Sequence, residues 1–136
     1  MFELILLPLD SSPEAERALP IALDLAGRYQ SKILLLSVVD LPEELDDREV
    51  KLQQVHERAR QLDETVQERL RAQGFVVEAR TEEGKTAFVI CDVAEETGAG
   101  LIVMGSRGLG LTEGGLQNSI SDRVINLSPC PVLIVP

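Results

Sequence analysis

The segment of residues 104–123, MGSRGLGLTEGGLQNSISDR, combines the residue types that bind phosphate oxygens. It holds five of the ten glycines of the chain, four hydroxyl side chains and two arginines. Glycines let a backbone approach an anion closely, and the N–H groups of a turn and of a helix N-terminus present partial positive charge to it. Hydroxyl side chains can donate to the same oxygens or help to hold Mg²⁺. The segment therefore predicts a phosphate-binding turn, and the alternative is a flexible loop with ordinary helix caps.

Two other phosphate motifs fail in this sequence. GKT at residues 84–86 resembles the end of a P-loop, but the first glycine of that motif would fall on Ala79, inside a predicted strand. No G-x-G-x-x-G sequence follows the first apolar run, and GLGLTE at residues 108–113 lacks the third glycine of that fingerprint. We therefore interpret residues 84–86 as a solvated turn that caps the third helix.

Alternating apolar runs and amphipathic stretches must position the candidate segment. The apolar runs predict five buried strands: ELILLPLD, KILLLSVVD, FVVEARTE (nearer the sheet edge), LIVMG and CPVLIVP. The amphipathic stretches between them predict four helices, the second over residues 48–73. In the first helix we expect Ser12 as the N-cap, Pro13 at the first position and a kink at Pro20.

The alternation of strands and helices implies parallel strands that are joined by right-handed crossovers. We therefore predict an α/β fold of one domain, residues 1–136: an open doubly wound five-stranded parallel sheet in the order 3-2-1-4-5, with helices on both faces. Strands 1 and 4 are neighbours in that order, and ligands of such sheets bind at this switch point, outside the strand C-termini. PLDSS follows strand 1 and MGSRG follows strand 4, so the candidate segment lies where a site is expected.

Composition argues against several classes of partner. Thirteen Lys and Arg against 23 Asp and Glu give a net charge of −10, which repels a phosphate backbone, so no nucleic acid is expected. No apolar run approaches the roughly 20 residues that a membrane helix needs. The first ten residues lack the basic region of a signal peptide. We therefore expect a cytoplasmic protein that has no membrane partner.

The residues that most often perform catalysis give no support for an active site. His56 is the only histidine and lies in the second predicted helix, where we expect it to be solvated. No Ser-His-Asp or Cys-His set can be assembled from it, so no catalytic residue is predicted. Cys91 and Cys130 have no metal-binding or redox spacing, and we expect both to be small buried hydrophobic residues.

Four blocks of the sequence resemble the universal stress protein family, in its order and spacing: ILLPLDSSPEAERAL, ILLLSVVD, LIVMGSRGLG and ISDRVINLSPCPVLIVP. The resemblance runs through nearly all of the chain and implies the adenine nucleotide alpha hydrolase-like fold. Many members of the family bind ATP through G-x2-G-x9-G-[ST] after the fourth strand. Here Gly105, Gly108 and Ser119 match that pattern, and Asn118 replaces its third glycine.

The resemblance implies a nucleotide site made of three groups of residues. The adenine and ribose would contact Pro8, Asp10 and the backbone around Val38. The phosphate turn would be lined by Met104, Gly105, Arg107 and Gly108. The β- and γ-phosphates would meet the helix N-terminus that follows Asn118, at Ser119, Ile120 and Ser121.

The resemblance also implies what the protein does and with what it assembles. We expect it to bind ATP, with Mg²⁺ accompanying the nucleotide, as a regulatory signal rather than as an enzyme substrate, any hydrolysis being slow. CPVLIVP would form an edge strand, which in this family commonly pairs with its twin, so we expect a homodimer through the C-terminal strand. The alternative is a dimeric stress-related protein that does not bind ATP and acts through protein interactions, with the acidic segment after strand 2 as the contact.

Overall fold

The computed structural model describes residues 1–10, 12–106 and 119–136. The strands of the described residues are β1 (Leu4–Pro8), β2 (Lys32–Val39), β3 (Val77–Glu83), β4 (Leu101–Gly105) and β5 (Val132–Val135). The helices are α1 (Pro13–Tyr29), α2 (Arg48–Ala72), α3 (Thr86–Thr97) and α4 (Ile120–Leu127). All four strand pairings are parallel, and the sheet has the order β3-β2-β1-β4-β5, which confirms the predicted topology.

The burial of each strand follows from its place in the sheet. The central strand β1 and its neighbour β4 are almost entirely buried, because helices cover both faces, and this explains their continuous apolar runs. In β3 only Val77 is buried, and the rest of the strand is charged or half-exposed. This partial exposure is typical of an edge strand, and the sequence FVVEARTE predicted such a strand nearer the sheet edge.

Two hydrophobic cores lie on opposite faces of the sheet. Helices α1 and α2 cover one face, where Ile5 and Leu35 of the sheet pack with Leu70 of α2. Helices α3 and α4 cover the other face, where Leu6 packs with Ile90 of α3. The alternation of Ile5 and Leu6 between the two cores is the two-residue period of a strand that is buried on both sides.

Helix α1 begins as the sequence predicts and then continues past its internal proline. The Ser12 hydroxyl accepts a hydrogen bond from the Ala15 N–H (3.2 Å), and Pro13 occupies the first helical turn. The sequence predicts a kink at Pro20. In the structure Pro20 lies inside one helical span, which continues to Tyr29. Its exposed position places the missing hydrogen bond on the solvent side.

Gly100 brings the N-terminus of the chain against the start of β4. Its N–H donates to the Leu4 carbonyl (2.9 Å), and a Cβ at this position would lie 2.1 Å from the Met1 carbonyl oxygen. No side chain fits in that space, so the glycine is required by packing rather than by ligand chemistry.

Candidate functional site

The carboxyl ends of β1 and β4 form a crevice because these neighbouring strands stop pairing before they end. Their ladder joins Ile5 to Leu101 and Leu6 to Ile102 only. Beyond it, β1 stays paired with β2 as far as Pro8, and β4 stays paired with β5 as far as Gly105. The two strands therefore lead away from each other at the switch point of the sheet, where ligands of doubly wound folds bind.

Eight of the eleven predicted site residues lie in the described part of the chain. Arg107, Gly108 and Asn118 lie outside the described residues. The others lie at the ends of β1, β2 and β4 and at the start of α4: Pro8, Asp10, Val38, Met104, Gly105, Ser119, Ile120 and Ser121.

Burial limits what the site residues within β1 and β4 can offer a ligand. Pro8, Met104 and Gly105 are buried, and Met104 is wholly enclosed in the core beneath α3 and α4. Its side chain therefore belongs to the core on that face of the sheet. The next N–H, that of Ser106, donates to the Val135 carbonyl (2.9 Å), so it is used by the sheet.

Asp10 organises the entry into α1 from the end of β1. Its Oδ1 accepts a hydrogen bond from the Ser12 N–H (2.8 Å), and Ser12 in turn caps the helix. Because a carboxylate has about four acceptor positions, this one bond leaves the half-buried group able to accept more.

Three serines join the start of α4 to the end of β4. The Ser121 hydroxyl donates to the Ser106 carbonyl (3.2 Å), and the hydroxyls of Ser119 and Ser121 lie 3.1 Å apart. A hydroxyl has one proton to donate, so Ser119 is the donor in the second contact. Ser119 is also the N-cap of α4 and accepts from the Asp122 N–H (3.2 Å). This arrangement places the positive end of the α4 dipole beside the crevice.

Partly buried apolar side chains lie at the carboxyl ends of the strands on the face covered by α3 and α4. Val38 at the end of β2 and Ile120 at the start of α4 are half-buried, and both pack against the core on that face together with Val89 of α3. Their exposed parts offer an apolar surface at the same edge of the sheet as Asp10.

Asp40 is a residue near the crevice that the sequence reasoning missed. It follows β2, and its Oδ2 accepts hydrogen bonds from the Thr86 N–H (3.2 Å) and the Thr86 hydroxyl (3.1 Å). Residues 84–86 were interpreted as a solvated turn that caps α3, but Thr86 is buried and Lys85, the N-cap residue, makes no side-chain capping bond. The cap is supplied across the fold by Asp40. The sequence feature that could have revealed this cap is an acidic residue directly after a strand.

Among the described residues, 1–10, 12–106 and 119–136, the one histidine lies on α2 and contacts β3. His56 is partly exposed, as expected, and its Nε2 lies 2.7 Å from Glu83 Oε1 on β3. The same ranges contain no group of three or more His, Cys, Asp or Glu side chains that could hold a metal ion. No helix in them is both long and apolar enough to cross a bilayer.

The two cysteines differ in their surroundings. Cys91 is buried, as predicted, and its burial raises the pKa of its thiol. Cys130 is only partly buried, so the prediction was wrong for this residue, which lies in the turn before β5 rather than under a helix. Both thiols are free.

Comparison with known proteins connects this chain with one family. The model of the universal stress protein family matches residues 1–136. A universal stress protein of Synechocystis sp. is 47% identical over 136 residues, covering 100% of this chain and 87% of that protein. The structure of the hypothetical protein MJ0577 superposes with a TM-score of 0.85 at 31% identity, covering 99% of this chain and 96% of the other.

Two more distant structures share the fold at low identity. A universal stress protein in complex with cAMP has a TM-score of 0.77 and 23% identity, with 98% of this chain and 97% of that one covered. A universal stress protein family protein from Arabidopsis thaliana with AMP bound has a TM-score of 0.71 and 19% identity, with 97% and 90% covered.

Proposed function

Because the chain belongs to the universal stress protein family, we propose that it binds an adenine nucleotide, ATP, in the crevice between β1 and β4 as a regulatory signal. One observation carries the proposal: the N-terminus of α4 is tied through Ser121 to the end of β4, beside the point where β1 and β4 separate. A helix N-terminus at a switch point is a favourable place for phosphate groups. Two proteins of this fold hold adenine nucleotides, cAMP and AMP.

The adenine and ribose are assigned to the ends of β1 and β2. The half-buried Val38 and Ile120 supply apolar surface against which a base can lie. Asp10 retains acceptor capacity after its bond to Ser12 and can accept from ribose hydroxyls. Pro8 contributes the backbone at the end of its buried strand.

The phosphates are assigned to the turn after β4 and the first turn of α4. Ser119 donates to Ser121, and a phosphate oxygen would replace Ser121 as the acceptor of that proton. Ser121 would keep its bond to Ser106 and hold the helix in place. We assign the rest of the phosphate turn to Gly105, Arg107, Gly108 and Asn118, and Mg²⁺ would accompany the triphosphate, neutralising charge in a strongly acidic protein.

A signalling role accounts for the chemistry of the site better than catalysis does. The hydroxyls and the helix dipole bind anions, while the one histidine is engaged with Glu83 at the seam between α2 and β3. A nucleotide that binds one conformation better than another shifts the population toward it without being consumed. We therefore propose regulation by occupancy, in the cytoplasm, with neither nucleic acid nor membrane as a partner.

We further propose that β5 pairs with its counterpart in a second copy. It is the terminal strand of the sheet beyond β4, and its first three residues, Val132, Leu133 and Ile134, are half-exposed apolar side chains. An apolar edge strand of this kind is usually covered. Sedimentation equilibrium tests the dimer, and the charged substitution Leu133→Lys is expected to give monomers.

Thermal unfolding with and without Mg-ATP tests nucleotide binding. Ligand at about 100 times its dissociation constant stabilises the folded state by roughly 2.7 kcal/mol, which raises the melting temperature by several degrees. Gly108→Val is expected to abolish the rise. Gly27→Val is the matched control, because Gly27 lies near the end of α1 with open space around its Cβ position.

Two outcomes distinguish ATP binding from the alternative, in which the protein acts through protein contacts alone. A melting temperature that stays constant at millimolar nucleotide contradicts ATP binding. If Asn118→Gly then creates binding, the asparagine at the third glycine position is the cause of the loss, and the unsubstituted protein works without nucleotide.

A further inference from the structure

Asp63 is the one carboxylate that is buried among the described residues, with 3% of its surface exposed. It lies on the inner face of α2, one turn before Val66 and two turns before Leu70, both of which belong to the core. The sequence pattern of this helix predicts an apolar side chain on that face. A charged group there costs free energy unless it is compensated.

Hydroxyl groups of two neighbouring strands hold the Asp63 carboxylate. Ser37 of β2 donates to Oδ1 (2.7 Å), and Thr81 of β3 donates to Oδ2 (3.1 Å). Ser37 and Thr81 are direct partners in the ladder that joins the two strands. One carboxyl group therefore ties α2 to β2 and β3 at a single level of the sheet.

The charged side chains on α2 do not neutralise this carboxylate. Arg60, one turn before Asp63, forms ion pairs with Glu57 and with Glu64 (2.6 Å to the latter) on the exposed side of the helix. The guanidinium is therefore engaged by two carboxylates of its own helix.

The strands facing Asp63 bring no cation to it either. On β3 the ionisable residue two positions beyond Thr81 is Glu83, which is engaged by His56 of α2. On β2 the residues that flank Ser37 on the same face are Leu35 and Val39, both apolar and buried. Burial raises the pKa of the Asp63 carboxyl above its ordinary value of 3.8, and the two hydroxyl donors only partly oppose this.

We propose that Asp63 is a proton-sensitive lock, which fastens α2 to β2 and β3 when the carboxyl is protonated and loosens that contact when it is ionised. The protonated group carries no buried charge, while the ionised group must be held by two neutral donors. The stabilisation is fully present below the ordinary pKa of an aspartate and is lost as pH rises through the higher pKa of the folded protein. The lock operates whether or not the crevice holds a nucleotide.

The residues that hold Asp63 are connected through β2 and β3 to the edge of the sheet where the crevice lies. Ser37 directly precedes Val38, and Thr81 lies on the strand that leads into Gly84 and the Asp40–Thr86 contact. Loosening α2 at this level therefore acts on the ends of β2 and β3, at the edge of the sheet where the crevice lies.

Amide hydrogen exchange of α2 in the full-length protein tests this proposal, measured from about pH 4 to about pH 8 and corrected for intrinsic exchange. Asp63→Asn keeps the size of the side chain and can bond to both hydroxyls, but it cannot ionise. We expect the exchange rate of α2 in the unsubstituted protein, divided by that in Asp63→Asn, to rise with pH and then level off. His56→Gln is the matched control: it removes the histidine that pairs with Glu83 beside this contact, and it is expected to leave that rise in place.

A ratio that stays constant across the pH range overturns the proposal, as does loss of the rise in His56→Gln alone. If Asp63→Asn fails to fold, Ser37→Ala provides a second test through the carboxyl carbon resonance of Asp63. Removing a donor to the carboxylate favours the protonated form, so the titration of Asp63 must move to higher pH. A titration midpoint that does not move, or that coincides with those of exposed aspartates, refutes the lock.

Discussion

Replacing Asp40 by alanine is expected to destabilise the protein by freeing the start of α3 from the end of β2. Both bonds of the contact meet one oxygen, since Oδ2 of Asp40 accepts from the N–H and from the hydroxyl of Thr86. Lys85, which occupies the N-cap position, makes no side-chain capping bond that could replace them. The alanine variant therefore leaves the first turn of α3 without its cap, at a buried residue.

The size of the effect follows from two contributions. Loss of a helix N-cap costs about 1 kcal/mol, within a range of roughly 0.5–2. Loss of a negative charge at a helix N-terminus costs roughly 0.3–1 kcal/mol, and the partial exposure of Asp40 places it in the lower half of that range. We expect Asp40→Ala to lower the free energy of unfolding by about 1.5 kcal/mol. Asp40→Asn, which keeps an acceptor and loses only the charge, should lose about 0.5 kcal/mol.

Urea unfolding followed by circular dichroism measures these values. With a slope of about 2 kcal/mol/M for a domain of this size, the midpoint for Asp40→Ala should fall by about 0.7 M at unchanged slope. Glu44→Ala is the matched control, because it removes an exposed carboxylate from the same segment. Lys85→Ala tests the long 3.9 Å ion pair with Asp40, and we expect it to change stability by less than about 0.5 kcal/mol.

The relative unfolding midpoints of these variants show which contact holds the start of α3. Equal midpoints for Asp40→Ala and Glu44→Ala would show that the contact with Thr86 does not cap α3 in solution. A loss in Lys85→Ala as large as that in Asp40→Ala would show that the ion pair, and not the cap, joins β2 to α3.

Two further predictions concern Gly100 and the cysteines. Gly100→Ala should destabilise the protein by about 1–3 kcal/mol in thermal unfolding, because its Cβ would lie 2.1 Å from the Met1 carbonyl; an unchanged melting temperature would contradict the close approach. With iodoacetamide, Cys130 should be alkylated before Cys91. Burial shields the Cys91 thiol and also raises its pKa, which lowers the fraction of reactive thiolate. Mass spectrometry of partly labelled protein that finds Cys91 modified first would refute this.

The topology and the place of the crevice could be predicted from the sequence because both follow from local patterns. Strands buried on both faces are continuous apolar runs, and β3, at the edge, carries charges such as Glu78 and Glu82. Ser12 and Pro13 start α1 through contacts within one helical turn. Since parallel strands with intervening helices can be connected in few ways, these patterns also predict the strand order.

The side-chain contacts that depend on the packed fold could not be predicted in this way. Asp63 lies on the inner face of α2 with the core residues Val66 and Leu70, and only the ladder between Ser37 and Thr81 explains how a carboxylate is accommodated there. Asp40 meets Thr86 across 46 residues of chain, which no helix-capping pattern reveals.

Amide chemical-shift mapping during a titration with Mg-ATP tests the central claim most directly, because it reports both binding and its place. We predict saturable shifts at Asp10, which follows β1, and at Ile120 and Ser121, which begin α4, with the α2–β3 contact around His56 little affected. The same titration of Gly108→Val should leave the spectrum unchanged. Shifts confined to that contact, or none at millimolar nucleotide, would contradict a nucleotide site in the crevice.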